Sequence, residues 1–557
     1  MYNEIIEVTK KLVAISSINS TTGEKDAAIF IENYLKEIPY FKEHPELVFT
    51  QDLRDDELNR KNVFALIKGE KGTSKNTIII HGHMDTVGVD DYGQLKEYAF
   101  DCDKLIKQLE NIKSDLSEDV KEDLESGDYL FGRGTLDMKG GVAVFMVVMK
   151  YLSERVKEID GNILFSSNPV EENLHTGIIE ALEVFENLKK KESLNYLFTI
   201  NSDCVSPLYP KDETRYIYTG SIGKVLPCFY VIGKEAHVGQ CFEGFEASMV
   251  ASELVRMINL NPEFCDGKDG EYTAPPSVLK LKDLKPSYNV QTSFSSFVYF
   301  NFMVTHRSTT EILNMLKNTA DKAMNNVMDI INERYKSYCD LSSIQYTKIK
   351  YNTQVLGYNE VYKLAKKVYE YNIDSYIDEL TLRLIKEGVD NREISLEITK
   401  HLCEIAGIRT PTVVVFFATP YCPHNTINEE VASEKLILED LKEVLEKYEN
   451  ETDEKFKILK FFACLTDSSY VKIDDDNESI DNLVSNFPNM RKLYNVPMNT
   501  IKELNIPSIN IGCFGKDPHK WTERVHMPYS FGVLPKVVIE MIEKNLMKLD
   551  DCRINKL

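Results

Sequence analysis

Short unbroken apolar runs alternate along this chain with longer stretches whose apolar positions recur at helical spacing. Ile78-Ile79-Ile80 is the clearest run, and three consecutive isoleucines predict a strand buried on both faces. Ile163-Leu164-Phe165 and Phe198-Thr199-Ile200 have the same character. Val142 to Met149 is apolar throughout and predicts a buried helix opened by Gly140. Within Leu12 to Val48, helical spacing gathers around Ile29, Ile31, Tyr34 and Leu35. Further strands are predicted at Val225 to Ile232, Ser296 to Val304, Thr412 to Phe417, Lys457 to Cys464 and Ser508 to Gly512. Further helices are predicted at Ala247 to Leu260, Thr310 to Tyr335 and around Asp374 to Ile405. This alternation reads as an α/β chain with no internal repeat and no low-complexity linker.

Several of the runs end in residues suited to binding a metal or moving a proton. The isoleucine run leads into His81-Gly82-His83-Met84-Asp85. The C-terminal end of such a strand is where open α/β sheets place their sites. His83 and Asp85 share a parity, so the carboxylate is placed to orient the imidazole. His81 has the same parity and competes for the ligand role. Asp137 lies in the glycine-rich turn Gly132 to Gly141, and its two oxygens suit it to bridge two ions. Glu171-Glu172 follows the second run; one acid can ligate metal while the other serves as a base to a bound water. Asp203 follows the third run, and His519 follows the strand predicted at Ser508 to Gly512. Each piece alone also has a plain structural reading, such as a polar strand end, a flexible turn or a solvated acid pair. Together they can hold two divalent ions and activate a water between them.

The order and contexts of these pieces resemble the M20 metallopeptidase family of aminoacylases, carboxypeptidases, dipeptidases and succinyl-diaminopimelate desuccinylase. The family's Gly-His-x-Asp-Thr-Val matches Gly82 to Val87, and its Gly-Arg-Gly-x-x-Asp-Met-Lys-Gly-Gly matches Gly132 to Gly141. Its acid pair matches Glu171-Glu172, and its later acid matches Asp203. Its lid signature is similar to Gly233 to Gly239, which contains His237. Its final ligand pattern, His-x-x-x-Glu-x-Val, matches His519 to Val525, whereas His526 lacks that context. Length and the opening Leu12 to Ser20 look closest to the long arginine-utilisation branch.

The resemblance implies a zinc-peptidase-like catalytic domain, with a mixed central sheet flanked by helices, and an inserted smaller α+β lid and dimerisation domain. The catalytic domain is expected over 1–213 and 336–557, the lid over 214–335. One metal would take His83, Asp137 and Asp203, the other Asp137, Glu172 and His519. Asp85 would orient His83, Glu171 would act as general base, and His237 would stabilise the oxyanion from the partner subunit of a homodimer. The expected cofactors are two divalent ions, zinc foremost, with manganese or cobalt accepted by the same donors. The expected substrate is a small peptide or N-acyl amino acid, arginine-related, cleaved by a metal-bridging water. Three departures from the family stand out. The position of the usual lid arginine falls on Met303, which leaves Asn289 and Arg307 as substrate-binding candidates. The piece from Tyr92 to Asp128 is extra and carries a charged amphipathic stretch, Lys104 to Leu124, favoured here as a surface element over a cover for the site. The segment between lid and His519 is unusually long. Two alternatives remain: an M28-type aminopeptidase, against which the lid signature argues, and a non-catalytic binding protein, against which the complete ligand set argues.

Composition narrows the setting. At 557 residues the chain exceeds one core. Its 11 cysteines are scattered without Cys-x-x-Cys pairs, as in a reducing cytoplasm. No run approaches the ~20 apolar residues of a membrane span, and Met1 to Ile6 carries no secretory signal. A cytoplasmic enzyme without membrane partners is expected. A net charge of -22 argues against nucleic acid.

Overall fold

Two sheets organise the chain. Their strands are β1 (Val48–Asp52), β2 (Lys61–Lys68), β3 (Asn76–His83), β4 (Asn162–Asn168), β5 (Asn195–Asn201), β6 (Thr214–Tyr218), β7 (Gly223–Ile232), β8 (Ser277–Asp283), β9 (Ser295–Val304), β10 (Gln354–Gly357), β11 (Thr412–Cys422), β12 (Lys455–Leu459) and β13 (Ser508–Asn510). The structure is a computed structural model and describes residues 1–462 and 464–547. The chain divides into two units. The first takes Met1–Ser221, Asn425–Ile473 and the chain from Pro497 onward; the second takes Ile222–His424 and Asp474–Val496.

The first unit is built on eight strands in the order β1-β2-β4-β3-β5-β13-β6-β12. Its centre is parallel: β3 pairs with β4 and β5, and β5 with β13, all in one direction. The flanks are antiparallel where β2 meets β4 and β6 meets β13, so the sheet is mixed. The apolar runs explain the central position. Seven of the eight residues of β3 and all seven of β4 are buried, as strands covered on both faces must be. Helix Lys139–Ser153 packs against β3 and is buried along nearly its whole length, matching its unbroken apolar run. In register, His83 lies opposite Asn168, His81 opposite Asn201, and Asn201 opposite Asn510. Four adjacent strands therefore end at one edge.

The segment from Tyr92 to Asp128 is more than a surface element. Its helices Cys102–Asn111 and Glu118–Ser126 bury Leu105, Leu109, Val120 and Leu124 in a small core shared with Tyr92 and Phe131. Its acids bond across to the segment that carries His519, as described with the site.

The second unit has a five-stranded sheet, β8-β9-β7-β11-β10. Leu226, Cys228, Tyr230 and Ile232 alternate onto one face, in one core with Tyr358, Ile394 and Leu402. This corrects the expected return to the catalytic domain at 336. The run at Thr412 forms β11, which pairs with β7 on one side and β10 on the other. The apolar faces of helices Tyr358–Val368, Ile373–Lys386 and Asn391–Ile405 join that core. The strand expected at Lys457 to Cys464 is β12, shifted to Lys455–Leu459; Ala463, inside the expected run, lies outside the described residues. Among the described residues, no helix is long and apolar enough to cross a membrane, and the cysteines are free thiols.

Candidate metal centre

The parallel strand ends deliver the site. His83 is the last residue of β3. Glu171 and Glu172 follow β4 and Asp203 follows β5, while His519 lies beyond β13 in a turn of positive φ. Asp137 comes from the turn just before helix Lys139–Ser153. Close approach of these segments needs glycine. A Cβ on Gly141 would stand 2.3 Å from Ser202 Oγ, and one on Gly512 would stand 1.7 Å from the Asp203 carbonyl.

Asp137 joins the two halves of the cluster. Its Oδ1 is 3.1 Å from His83 Nε2, and its Oδ2 is 3.0 Å from His519 Nε2. His519 Nε2 is also 3.0 Å from Glu172 Oε1, and Glu171 Oε2 lies 3.8 Å from His83 Nε2. Donor atoms of His83, Asp137 and Asp203 lie within 4.8 Å of one another, as do those of Asp137, Glu172 and His519 and those of His83, Glu171 and Glu172. Tetrahedral metal–ligand bonds of ~2.0–2.1 Å set ligands roughly 3.3 Å apart, so this donor spacing fits ions of that class.

The charge balance agrees with that fit. Burial raises the Glu171 carboxyl well above the ordinary range, against the opposing charges of His83 and His175. Burial, then the charge of Asp137, pushes Asp203 up to about 7. Burial pushes Asp137 the same way, but its hydrogen bonds with His519 and His83 outweigh this and hold it well below its usual value. The same bonds from Asp137 and Glu172 raise His519 to about 11. Five carboxylates, counting Asp85, converge on two imidazoles, an excess of buried negative charge that divalent cations would relieve.

Asp85 and Glu523 hold the pieces in register. His83 Nδ1 is 3.1 Å from the Asp85 backbone carbonyl and 3.6 Å from Asp85 Oδ1, and the two carboxylate oxygens of Asp85 accept the backbone N–H groups of Glu171 and Glu172, each at 3.1 Å. Asn19 donates to Asp85 at 2.9 Å. Glu523 is fully buried and accepts from the backbone N–H groups of Gly134, Leu136 and Asp137 at 2.8–3.2 Å. Arg133 balances its charge at 2.7 Å. Sequence reading gave no role to Glu523 or Arg133, although both stand inside the quoted motifs; that signal was available. The His519 turn is braced from the extra segment. Arg524, fully buried, donates to Asp123 and Asp517 at 2.6 Å each and to Asp119 at 2.5 Å. Asp517, two residues before His519, also accepts from Thr522 at 2.8 Å.

Other candidates separate cleanly. His81 is buried and in none of the donor groups; its Nε2 lies 3.5 Å from Ser468 Oγ. His526 packs on Tyr129 and Phe514 and is likewise in none. In the second unit His237 Nδ1 accepts from Gly239 N–H at 3.1 Å, and Val238 N–H donates to the Val290 carbonyl, so His237 and Asn289 are near neighbours. Arg307 does not join them. It lies past the far end of the ten-residue strand β9, roughly 30 Å of chain away. Its guanidinium donates to the Phe264 carbonyl at 3.1 Å beside Asp266, which also accepts the Arg307 backbone N–H.

A sequence model of peptidase family M20/M25/M40 matches residues 79–450, more than half of the chain. Protein RocB of Bacillus subtilis (strain 168) is 37% identical over 543 residues, covering 95% of this chain and 93% of the relative. YqjN of the same organism, described as uncharacterized, is 32% identical over 541 residues, covering 96% and 95%. Among solved structures, aminopeptidase PepT from Bacillus cereus ATCC 10987 superposes with a TM-score of 0.52 at 12% identity over 98% of both chains. The YXEP protein of Bacillus subtilis, described as a dinuclear metal binding peptidase, gives 0.51 at 10% identity over 98% and 99%. At those identities the structures show the fold. The chain belongs to peptidase family M20/M25/M40 and is a metal-dependent hydrolase.

The brace makes a testable demand. Asp123→Ala removes one partner of a buried guanidinium next to the His519 turn. Stepwise metal titration of the stripped protein should show one ion weakened by roughly 10–100-fold and the other unchanged. Equal weakening of both ions, or of neither, would contradict the brace.

Proposed function

We propose that this chain hydrolyses the amide bond of a small peptide or N-acyl amino acid at a centre of two divalent ions, zinc foremost. The observation that carries this reading is the sharing of Asp137 between two ligand groups, with Glu171 beside them. His83, Asp137 and Asp203 would hold one ion; Asp137, Glu172 and His519 the other. Bound there, the ions would supply Lewis acidity to a carbonyl oxygen and to the attacking water. Glu171 takes a proton from that water and hands it to the departing amine; its raised affinity for a proton suits this shuttle. Asp85 fixes the orientation of the His83 ring and the backbone of the acid pair. An arginine-related substrate is favoured by the likeness of the chain's length and opening to the arginine-utilisation branch. The reading extends to a cytoplasmic homodimer formed through the second unit, in which His237 completes the oxyanion pocket of the partner and Asn289 contacts substrate beside it.

A screen of purified, metal-loaded protein against dipeptides and N-acyl amino acids, arginine derivatives included, tests the function directly. Release of a free amine supports it; no turnover on any member with two ions bound contradicts it. Within the acid pair, Glu171→Gln should keep both ions and lose roughly 10²–10⁴-fold in turnover. Glu172→Gln should lose metal. Reversed metal phenotypes would exchange the two roles.

Donation across a dimer gives a second outcome. His237→Ala and Glu171→Ala should each be nearly inactive with metal retained. Mixed in equal parts and allowed to exchange, half the dimers are heterodimers with one intact site each, so about a quarter of wild-type activity returns. Exchange without recovery, or a fully active monomer, places His237 outside the partner's site.

A further inference from the structure

A second buried cluster shares Glu171 with the metal centre. His175 stands just before helix Thr176–Glu192, and Asp467 opens the short turn Asp467–Tyr470. His175 Nδ1 is 3.1 Å from Asp467 Oδ1 and 3.7 Å from Glu171 Oε1. Donor atoms of the three residues lie within 4.8 Å of one another, and all three residues are buried. The Tyr470 ring packs against the imidazole at 5.1 Å.

Two features distinguish this cluster from an ordinary histidine–carboxylate hydrogen bond. Asp467 is 2% exposed, yet its Oδ2 is buried and has no hydrogen-bond partner among the described residues, a costly state for a carboxylate oxygen. Further, Nδ1 faces two carboxylates and carries at most one proton, so it satisfies Asp467 and leaves Glu171 beyond hydrogen-bond range. One cation among the three donors would serve both acids at once. These distances keep the three donors within the same 4.8 Å that bounds the donor groups of the main centre. One imidazole with two carboxylates suits zinc and similar ions; magnesium and calcium prefer all-oxygen sets.

We propose that Glu171, His175 and Asp467 form a third divalent-cation site, and that excess zinc bound there withdraws Glu171 from catalysis. A cation held at Oε1, the oxygen facing His175, draws charge from the carboxylate and lowers the affinity of Oε2, the oxygen facing His83, for the proton of the attacking water. Zinc thus acts in two ways by concentration: two ions build the centre, and a third silences it. The inhibitory half rests on Glu171 being the general base; the binding half does not.

Zinc binding and turnover are measured together on the whole protein as free zinc rises. The wild type should take up a third ion per chain as activity falls. Asp467→Asn, which keeps the side-chain shape, and His175→Gln should bind two ions only. Their half-inhibiting zinc concentration should rise by more than about tenfold, since losing a ligand costs at least as much as losing a supporting group. Crystals grown in excess zinc and recorded at the zinc edge locate the third ion independently of any variant, with an anomalous peak expected between Nδ1 of His175 and the two carboxylates. A third ion bound elsewhere, a wild type saturating at two ions, or a third ion retained by both variants overturns the site. A third ion at the predicted place with turnover unaffected overturns the inhibitory role. Absence of turnover at two bound ions is instead a failure of the hydrolase reading, while the stoichiometry and the anomalous map still judge the site.

Discussion

Carboxylates forced together out of water repel one another, and this structure holds five of them at one sheet edge. The repulsion is tolerable only where hydrogen bonds fix a carboxylate or a cation shares the space. Asp137 is at the centre of the problem, since both imidazoles approach it within 3.1 Å. The turn that carries it is held from below by Glu523, whose carboxylate gathers three backbone N–H groups. Asp85 does the same for the acid pair. Asp85, one of the five, and Glu523, a sixth beside them, are thus spent on backbone, and Asp137, Glu171, Glu172 and Asp203 face the cluster. The division follows from geometry: an acid surrounded by N–H donors is already satisfied, and one without them needs a cation.

The parallel centre of the first sheet makes this arrangement possible. Only strands that run the same way bring their C-terminal ends to one edge, and β4, β3, β5 and β13 do so side by side. β13 is short and the chain leaves it in a long turn, so His519 depends on further support. Arg524 provides it, drawing on acids from the extra segment near residue 120. A buried guanidinium with three carboxylates is costly to bring out of water and demands near-ideal partners, which suits a joint that has to be rigid.

Much of this was legible in the sequence. Three apolar runs followed by polar chemistry gave the strand ends, and the spaced glycines marked where segments approach closely. The motif contexts separated His519 from His526, and the geometry brings His519 and not His526 to the donor groups. Parity alone left His81 and His83 open, and the Gly-His-x-Asp context chose His83; the structure brings His83 and not His81 into the donor groups. Glu523 stands in the quoted His-x-x-x-Glu-x-Val pattern, so its importance was signalled, but its role was not: the backbone N–H groups it accepts lie nearly 400 residues earlier. The second unit was misjudged at its far boundary for the same kind of reason. β11 has the apolar run of any buried strand, and only its pairing with β7 says which sheet it joins. The extra segment read as charged and amphipathic, which it is, but its acids face an arginine that sequence spacing cannot connect to them.

The central claim is that one carboxylate ties two metal ions into a single centre, and the metal content of Asp137→Ala tests it most directly. The variant is purified without chelators beside the wild type, and divalent ions per folded chain are counted by elemental analysis, with folding checked by circular dichroism. The account predicts close to two ions in the wild type and reduced occupancy at both sites in the variant, because Asp137 belongs to both of the donor groups proposed to hold an ion, His83–Asp137–Asp203 and Asp137–Glu172–His519. Retention of both ions, or the clean loss of one with the other held at full affinity, would contradict the bridge.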